Sequence, residues 1–438
     1  MHRTRFTAHA RHRAAARMAL ACGLAPFLAP FLALALCAVP LDALAQTPAK
    51  PEALTLSQVF EAAWARQPEQ AALAARREET RARQQAAQAW TSEPVALEGA
   101  TKTDRFSRTR GTREYELGVV IPLWLPGERG RSQALAEAEG RAVESRTAAA
   151  RLRLAASVRE AWWQWQRAQA EAAGAQDQLA QTERLAADVR QRVQAGDLAR
   201  ADQHQADGVV AAAQAAKAHA DGARGRAEQA LHALVAEPGQ DAPWIPAAAT
   251  AEPEPGPTPA EVESHAEWLA LQDRLRVADQ QQALSATQSR ANPELTISTT
   301  RDRGSAGEAW QQTVTVGLRV PFGAGPRHDA RRAAARADTL ELQAQLNLER
   351  ARLAAERGAA QARSEAAALQ LAAAERRAQL ARESRGFFEK SFRLGQTDLP
   401  TRLRVEAEAA DAERQAALAR IDVATARSAW RQALGLLP

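Results

Sequence analysis

Hydrophobic and polar positions along this chain follow two periods, and each period occurs twice. Helical spacing runs from about Leu56 to Trp90, with a break at Pro68, and stops at Pro94. A second such stretch runs from about Pro259 to Arg290 and stops at Pro293. After each stop the period falls to two. Tyr115, Leu117, Val119 and Ile121 alternate with Glu114, Glu116, Gly118 and Val120; Val314, Val316, Leu318 and Val320 alternate with Thr313, Thr315, Gly317 and Arg319. That alternation predicts strands with one apolar face. A weaker strand precedes each, Val95–Thr101 (carrying Glu98 and Gly99) and Leu295–Thr299, across polar loops at Lys102–Thr112 and Arg301–Ala309. Helical character then returns without proline over about Arg131–Ala195 and Arg327–Leu394. After Gly196 and Gly395 a last helix runs back, to Val235 and Leu434.

The two passes are one unit written twice. A single offset of 199 residues superposes Pro94 on Pro293, Gly118 on Gly317, Pro122 on Pro321, Gly196 on Gly395 and Val235 on Leu434. Between the copies lies a proline-rich stretch with Pro243, Pro246, Pro253, Pro255, Pro257 and Pro259, a stiff extended linker. The expected organisation is a leader at residues 1–45, a first repeat at 46–238, a linker at 239–259 and a second repeat at 260–438.

Length then decides the architecture. A helix of about 65 residues measures roughly 98 Å, against an ordinary mean of about 11–12 residues, so a rod, tunnel wall or coiled coil is expected. The shorter helices on either side would stack end to end alongside it. Apolar-out, polar-in strands of about ten residues suit a transmembrane barrel, and equally a soluble hairpin with one buried face. Four strands per chain cannot close a barrel, since small barrels need about eight, so closure requires further copies. The predicted fold is mainly α with a small β part.

Composition agrees. Ala, Arg, Gln and Glu dominate and a single Tyr is present, the profile of long helices with shallow seams. Beyond the leader no stretch approaches 18 uninterrupted apolar residues, so any membrane crossing is by strands. The leader has Arg3, Arg5, Arg11, Arg13 and Arg17 before an apolar run from Met18 to Val39, then Ala43-Leu44-Ala45, the pattern of a cleaved signal peptide. Both cysteines, Cys22 and Cys37, fall inside it, leaving no thiol chemistry for the mature chain. Without the leader 52 Lys and Arg face 51 Asp and Glu, which removes the electrostatic case for nucleic acid.

At Leu54-Thr55-Leu56-Ser57-Gln58-Val59-Phe60-Glu61-Ala62-Ala63, ending in Gln67-Pro68, the chain resembles the opening motif of the TolC-like outer-membrane efflux family. Gly118-Val119-Val120-Ile121-Pro122-Leu123 and Gly317-Leu318-Arg319-Val320-Pro321-Phe322 resemble that family's strand-to-helix junctions. Val193-Gln194-Ala195-Gly196 and Phe392-Arg393-Leu394-Gly395 resemble its periplasmic tip turns. The resemblance implies a homotrimer with a shared 12-stranded barrel in the outer membrane and a helical tunnel in the periplasm. It also implies a periplasmic adaptor and an inner-membrane pump as partners. Short outer loops and overall length are most similar to the heavy-metal (cobalt-zinc-cadmium) branch, with drug efflux or type I secretion as alternatives. The chain departs from the family at His265-Ala266, where a His-Pro or Asn-Pro is usual. The acid expected six residues past each tip glycine is Asp202 in the first copy but Thr401 in the second; three residues further Arg404 stands where some members have a gate-lining acid, and Asp398 is the candidate substitute from a nearby position. Gly196, Asp202, Gly395, Asp398, Thr401 and Arg404 are therefore the candidate gate.

No cofactor, metal site or catalytic constellation is expected. His204, His219, His232, His265 and His328 include no pair at helical ligand spacing, and the chain has no Gly-rich phosphate loop and no paired-acid constellation. Trp162, Trp163 and Trp165 read as helix packing, with a constriction lining as the sharper alternative. Trp124 and Trp310 flank strands as candidate interfacial anchors, and Arg327, Arg331 and Arg332 read as a solvated face. Two other function classes fit less well. A periplasmic adaptor has one helical hairpin beside β-rich domains, and a structural coiled coil has no use for duplicated strand pairs.

Overall fold

In the computed structural model the described residues are 55–106, 110–235, 251–256, 261–323 and 325–438, within the unit Pro51–Pro438. The expected leader, its two cysteines and most of the linker lie outside them. The first repeat comprises α1 (Leu56–Ala65), α2 (Pro68–Ala87), β1 (Ala96–Thr103), β2 (Arg113–Pro122), α3 (Glu128–Ala195) and α4 (Arg200–Val235). The second comprises α5 (Ala266–Thr287), β3 (Glu294–Arg303), β4 (Gln311–Arg319), α6 (Gly325–Arg393) and α7 (Leu399–Ala433), with a single 3-10 turn, Val262–Ser264, before α5.

Local chemistry sets these boundaries. Thr55 caps α1 in a capping box with Gln58, and Pro68 begins α2 at the one position where its missing N–H costs nothing. His265 caps α5 through Nδ1, which accepts from the Glu267 N–H at 3.3 Å, so the departure from His-Pro leaves a capped helix. α3 and α6 have 68 and 69 residues, about 102 and 104 Å at the helical rise.

Seams of small residues hold these helices together. Along α7 as far as Ala416 the buried positions are Leu399, Arg402, Val405, Ala409, Ala412 and Ala416, a three-four spacing, and α6 is the helix that α7 packs against most extensively. On α6 His328, Ala335 and Leu342 are buried at intervals of seven. α3 packs against α2, α4, α5 and α7, so the two repeats are interleaved. The thickest core lies midway along α3, where Phe60 and Trp64 of α1 meet Val158, Trp162, Trp163 and Trp165, with Leu231 of α4 and Ile421 of α7. Trp162 is 1 % exposed, so the tryptophan cluster is packing within this chain.

A junction at the strand end of α3 joins the layers. Glu128 is 2 % exposed, and its carboxylate accepts from Gln288 Nε2 (2.7 Å), Asn292 Nδ2 (3.0 Å) and the Leu125 N–H (3.0 Å). Trp124 donates to the Ala89 carbonyl at 3.2 Å, tying the start of α3 to the end of α2.

Candidate functional site

The four strands form one antiparallel sheet in the order β1-β2-β3-β4. Register decides which side chains share a face. Leu97, Val119, Ile297 and Val316 lie abreast, as do Gly99, Leu117, Thr299 and Val314, and Ile121 aligns with Leu295 and Leu318. This face is apolar on all four strands. Glu98 falls on the other face, beside Gly118 and Ser298, which explains how an acid interrupts β1 without ending it.

The large apolar side chains of this face stand open to the surroundings. Leu117, Val314, Val316 and Leu318 are 55–70 % exposed, whereas Ser298 on the polar side is 5 % exposed. At Gly118 a Cβ would sit 3.1 Å from that of Ser298, so the polar side is the crowded one. The chain thus leaves an apolar face of its sheet uncovered, the reverse of a soluble half-sheet, which packs that face on a core. β1 and β4 each leave one edge unpaired.

Of the candidate face, Tyr115, Leu117, Val119 and Ile121 lie in β2, and Val314, Val316 and Leu318 in β4. Val320 is the correction: β4 stops at Arg319, because Pro293 opposite and Pro321 after it have no N–H to extend the ladder. The strands are also longer than their alternation suggests. They reach Thr103 and Arg303, which shortens both polar loops.

The opposite end of the helices holds the two tip turns. Gly196 (φ 87°) and Gly395 (φ 72°) occupy left-handed conformations that side chains with a Cβ adopt at a cost. The Asp197 N–H donates to the Arg192 carbonyl at 2.9 Å, and the Gln396 N–H to the Ser391 carbonyl at 3.0 Å, closing both helices as glycine C-caps do. The turns are brought together: Phe392 and Leu399 pack on Ala186, Val189 and Ala206. Arg192 stacks over the Phe392 ring at 4.8 Å and donates to its carbonyl at 3.1 Å.

The candidate charges have local partners. Asp202 accepts from the Ala199 N–H at 3.0 Å and so fixes the start of α4. Asp398 is the N-cap residue of α7 by position, but its side chain makes no capping bond; it is exposed. Thr401 is half-buried, and exposed Arg404 pairs with Glu408 at 2.9 Å along α7, not with Asp202 or Asp398. The cation the tip buries is Arg402, 6 % exposed, which donates to the Arg385 carbonyl and to Glu406. It occupies a seam position on α7, three before Val405, and that spacing was its signal in the sequence. Burial pushes the Glu406 carboxyl above its usual range, despite the opposing charges of Arg402 and Arg385.

Between tips and sheet, one carboxylate pins the linker. Glu252 is 7 % exposed and meets the guanidinium of Arg159 (4 % exposed) through two bonds of 2.7 and 3.0 Å. Arg431 adds a bond at 3.1 Å and Ser428 donates to the same carboxylate; Ser428 in turn accepts from Trp163 Nε1 at 2.8 Å. Nothing in the proline-rich run distinguishes Glu252 from a solvated acid, and its partners lie 93 to 179 residues away. Among the described residues no group of acids, histidines and cysteines could hold a metal ion, and no helix is long and apolar enough to cross a membrane.

Long paired helical hairpins capped by a small apolar-faced sheet are the fold of TolC-like channels. VceC from Vibrio cholerae aligns with a TM-score of 0.68 at 20% identity, over 87% of this chain and 96% of its own. MtrE from Neisseria gonorrhoeae, an outer membrane channel in its open state, gives 0.69 at 17% identity over 87% and 89%. CusC, described through folding and transmembrane channel formation, gives 0.71 at 17% identity over 87% and 92%. Among curated proteins none matches the sequence. Residues 59–237 match the family model described as outer membrane efflux protein. The match to that family thus falls on the first repeat, and the chain as a whole has the TolC-like channel fold.

Proposed function

We propose that this chain is the protomer of an outer-membrane efflux duct: three copies close a 12-stranded barrel in the outer membrane, and their helices continue it as a tunnel into the periplasm. The observation that carries this reading is the sheet, with an exposed apolar face on every strand and two unpaired edges. Exposed Leu380 and Phe387 on α6 and Leu394 just past its end, at intervals of seven, supply a further unfilled seam for neighbouring copies. The duct does no chemistry. Cargo is delivered by an inner-membrane pump through a periplasmic adaptor, and the resemblance to the cobalt-zinc-cadmium branch favours heavy-metal cations. Cell fractionation tests the reading against an adaptor or a structural coiled coil, since the duct alone requires detergent to leave the outer membrane. Recovery without detergent would overturn it.

The lipid-facing assignment has its own test. Val316→Asp or Leu117→Asp costs about 2 kcal/mol near mid-bilayer and reduces outer-membrane insertion. Thr315→Asp and Glu116→Asp, on the inward face, are tolerated. Equal amounts of inserted protein for all four would show that neither face meets lipid.

The gate is proposed at the tips, where three copies of the Gly196 and Gly395 turns converge with Asp202, Asp398, Thr401 and Arg404. Arg404→Glu removes the pair with Glu408, places like charges one turn apart and loosens the closed tip. Single-channel conductance in planar bilayers, without adaptor, is expected to rise over wild type. Identical small conductance across a range of salt would place Arg404 off the pore.

A further inference from the structure

The apolar face of the sheet does not run to the loops. Past Leu117, Thr299 and Val314 the next residues abreast on that face are Thr101, Tyr115, Arg301 and Gln312. Beyond them Thr103, Arg113 and Arg303 lie abreast, with Trp310 just before β4. Three arginines and two aromatics thus end the face at the loop side.

These side chains form one cluster. The Trp310 ring lies 5.8 Å from that of Tyr115, with the Arg301 guanidinium 5.3 Å and that of Arg303 4.9 Å from its centroid. Stacking on a ring holds a guanidinium flat and leaves its N–H edge available. Arg113 stands directly opposite Arg303, like charges on adjacent strands. Among the described residues none of the three arginines has an ion pair, and Arg303 Nε is buried without a hydrogen-bond partner. The carboxylates nearby point away: Glu114 and Asp302 alternate onto the other face, where Glu114 pairs with Lys102 at 3.2 Å. In the adjoining loops Asp104 accepts from the Arg110 and Gly111 N–H groups and Glu308 from the Ser305 hydroxyl, so neither is paired with these arginines.

We propose that Arg301 and Arg303, stacked on Trp310, together with Arg113 on the neighbouring strand, bind the phosphate of a lipid head group in the outer leaflet of the outer membrane. The inference rests on the apolar face being lipid-facing. In that setting the row sits where acyl chains give way to head groups, aromatic rings settle at that depth, and forked guanidinium groups match phosphate oxygens. Charge complementarity selects an anionic head group over a neutral one.

The probe is lipid A, added to the detergent-solubilised protein either with both phosphates or dephosphorylated, and retention is read by native mass spectrometry. Wild type is expected to hold the phosphorylated form at least about tenfold more tightly. Arg113→Gln, Arg301→Gln and Arg303→Gln together abolish that preference, and Lys102→Gln on the opposite face leaves it intact. Free inorganic phosphate at equal concentration should not compete with the lipid; full competition would overturn a lipid site. Should the triple variant fail to insert, the comparison of the two lipids on wild type decides alone. A membrane-embedded chain that holds both forms equally overturns this proposal by itself, whereas a chain found in the soluble fraction overturns the channel reading with it.

Discussion

Glu252→Ala is expected to destabilise the helical layer by about 3–5 kcal/mol, because it leaves Arg159 as an uncompensated charge in a nearly closed site. The loss propagates. Arg159 also donates to the Leu436 carbonyl and to Gln432, so the inter-repeat linker, the middle of α3 and the chain's C-terminal residues share this one anchor. Burial works against the Glu252 charge, but the hydrogen bonds and charge of Arg159, with Ser428 and Arg431, hold its carboxyl below the ordinary range. The sign of the pH dependence follows. A carboxyl depressed on folding stabilises fully above its unfolded value of about 4.3, and the contribution is lost as pH falls through the lower folded value. The thermal transition of the detergent-solubilised protein should therefore fall in wild type through the acid range and be flatter there in Glu252→Ala. Arg159→Met combined with Glu252→Leu should cost less than Glu252→Ala alone, since it removes both buried charges. A Glu252→Ala transition matching wild type at neutral pH would show that the linker does not anchor the helices.

Trp162→Ala carries an expected cost of similar size, about 3–5 kcal/mol, for a buried aromatic replaced by a methyl group. Trp162 is 1 % exposed and tilts against Trp165 with ring centroids 6.2 Å apart, beneath Phe60 of α1. Elsewhere the helices meet mostly through alanines, which cannot close around so large a void. Trp90→Ala is the matched control: that ring is 93 % exposed, and its removal should change stability by less than about 0.5 kcal/mol. Equal transitions for the two variants would contradict the assignment of the tryptophan cluster to the core.

The parts of this fold legible in the sequence are those written in backbone chemistry or in period. Pro68 and Pro122 mark boundaries whatever surrounds them, and Gly196 and Gly395 take the left-handed turns that glycine permits. The apolar face of β2 and β4 was legible because a period of two sorts side chains independently of their neighbours. β1 was harder to read. Glu98 and Gly99 look like a break until the register places Glu98 on the polar side and Gly99 opposite Leu117. Least legible were the charges. Arg404 and Asp398 stand out near the second turn, yet the structure pairs Arg404 within its own helix and leaves Asp398 exposed. Arg402, two residues before Arg404, is the buried one, and Glu252 finds Arg159 across 93 residues of sequence. Periodicity identifies which positions are buried; which distant charge answers a buried charge is a property of the packed helices alone.

In the proposed trimer, four strands with two free edges make up one third of a barrel. The mass of the detergent-solubilised protein, measured by light scattering or native mass spectrometry with the detergent subtracted, tests it most directly. The expected mass is that of three chains. A monodisperse monomer that stays folded in detergent would contradict it.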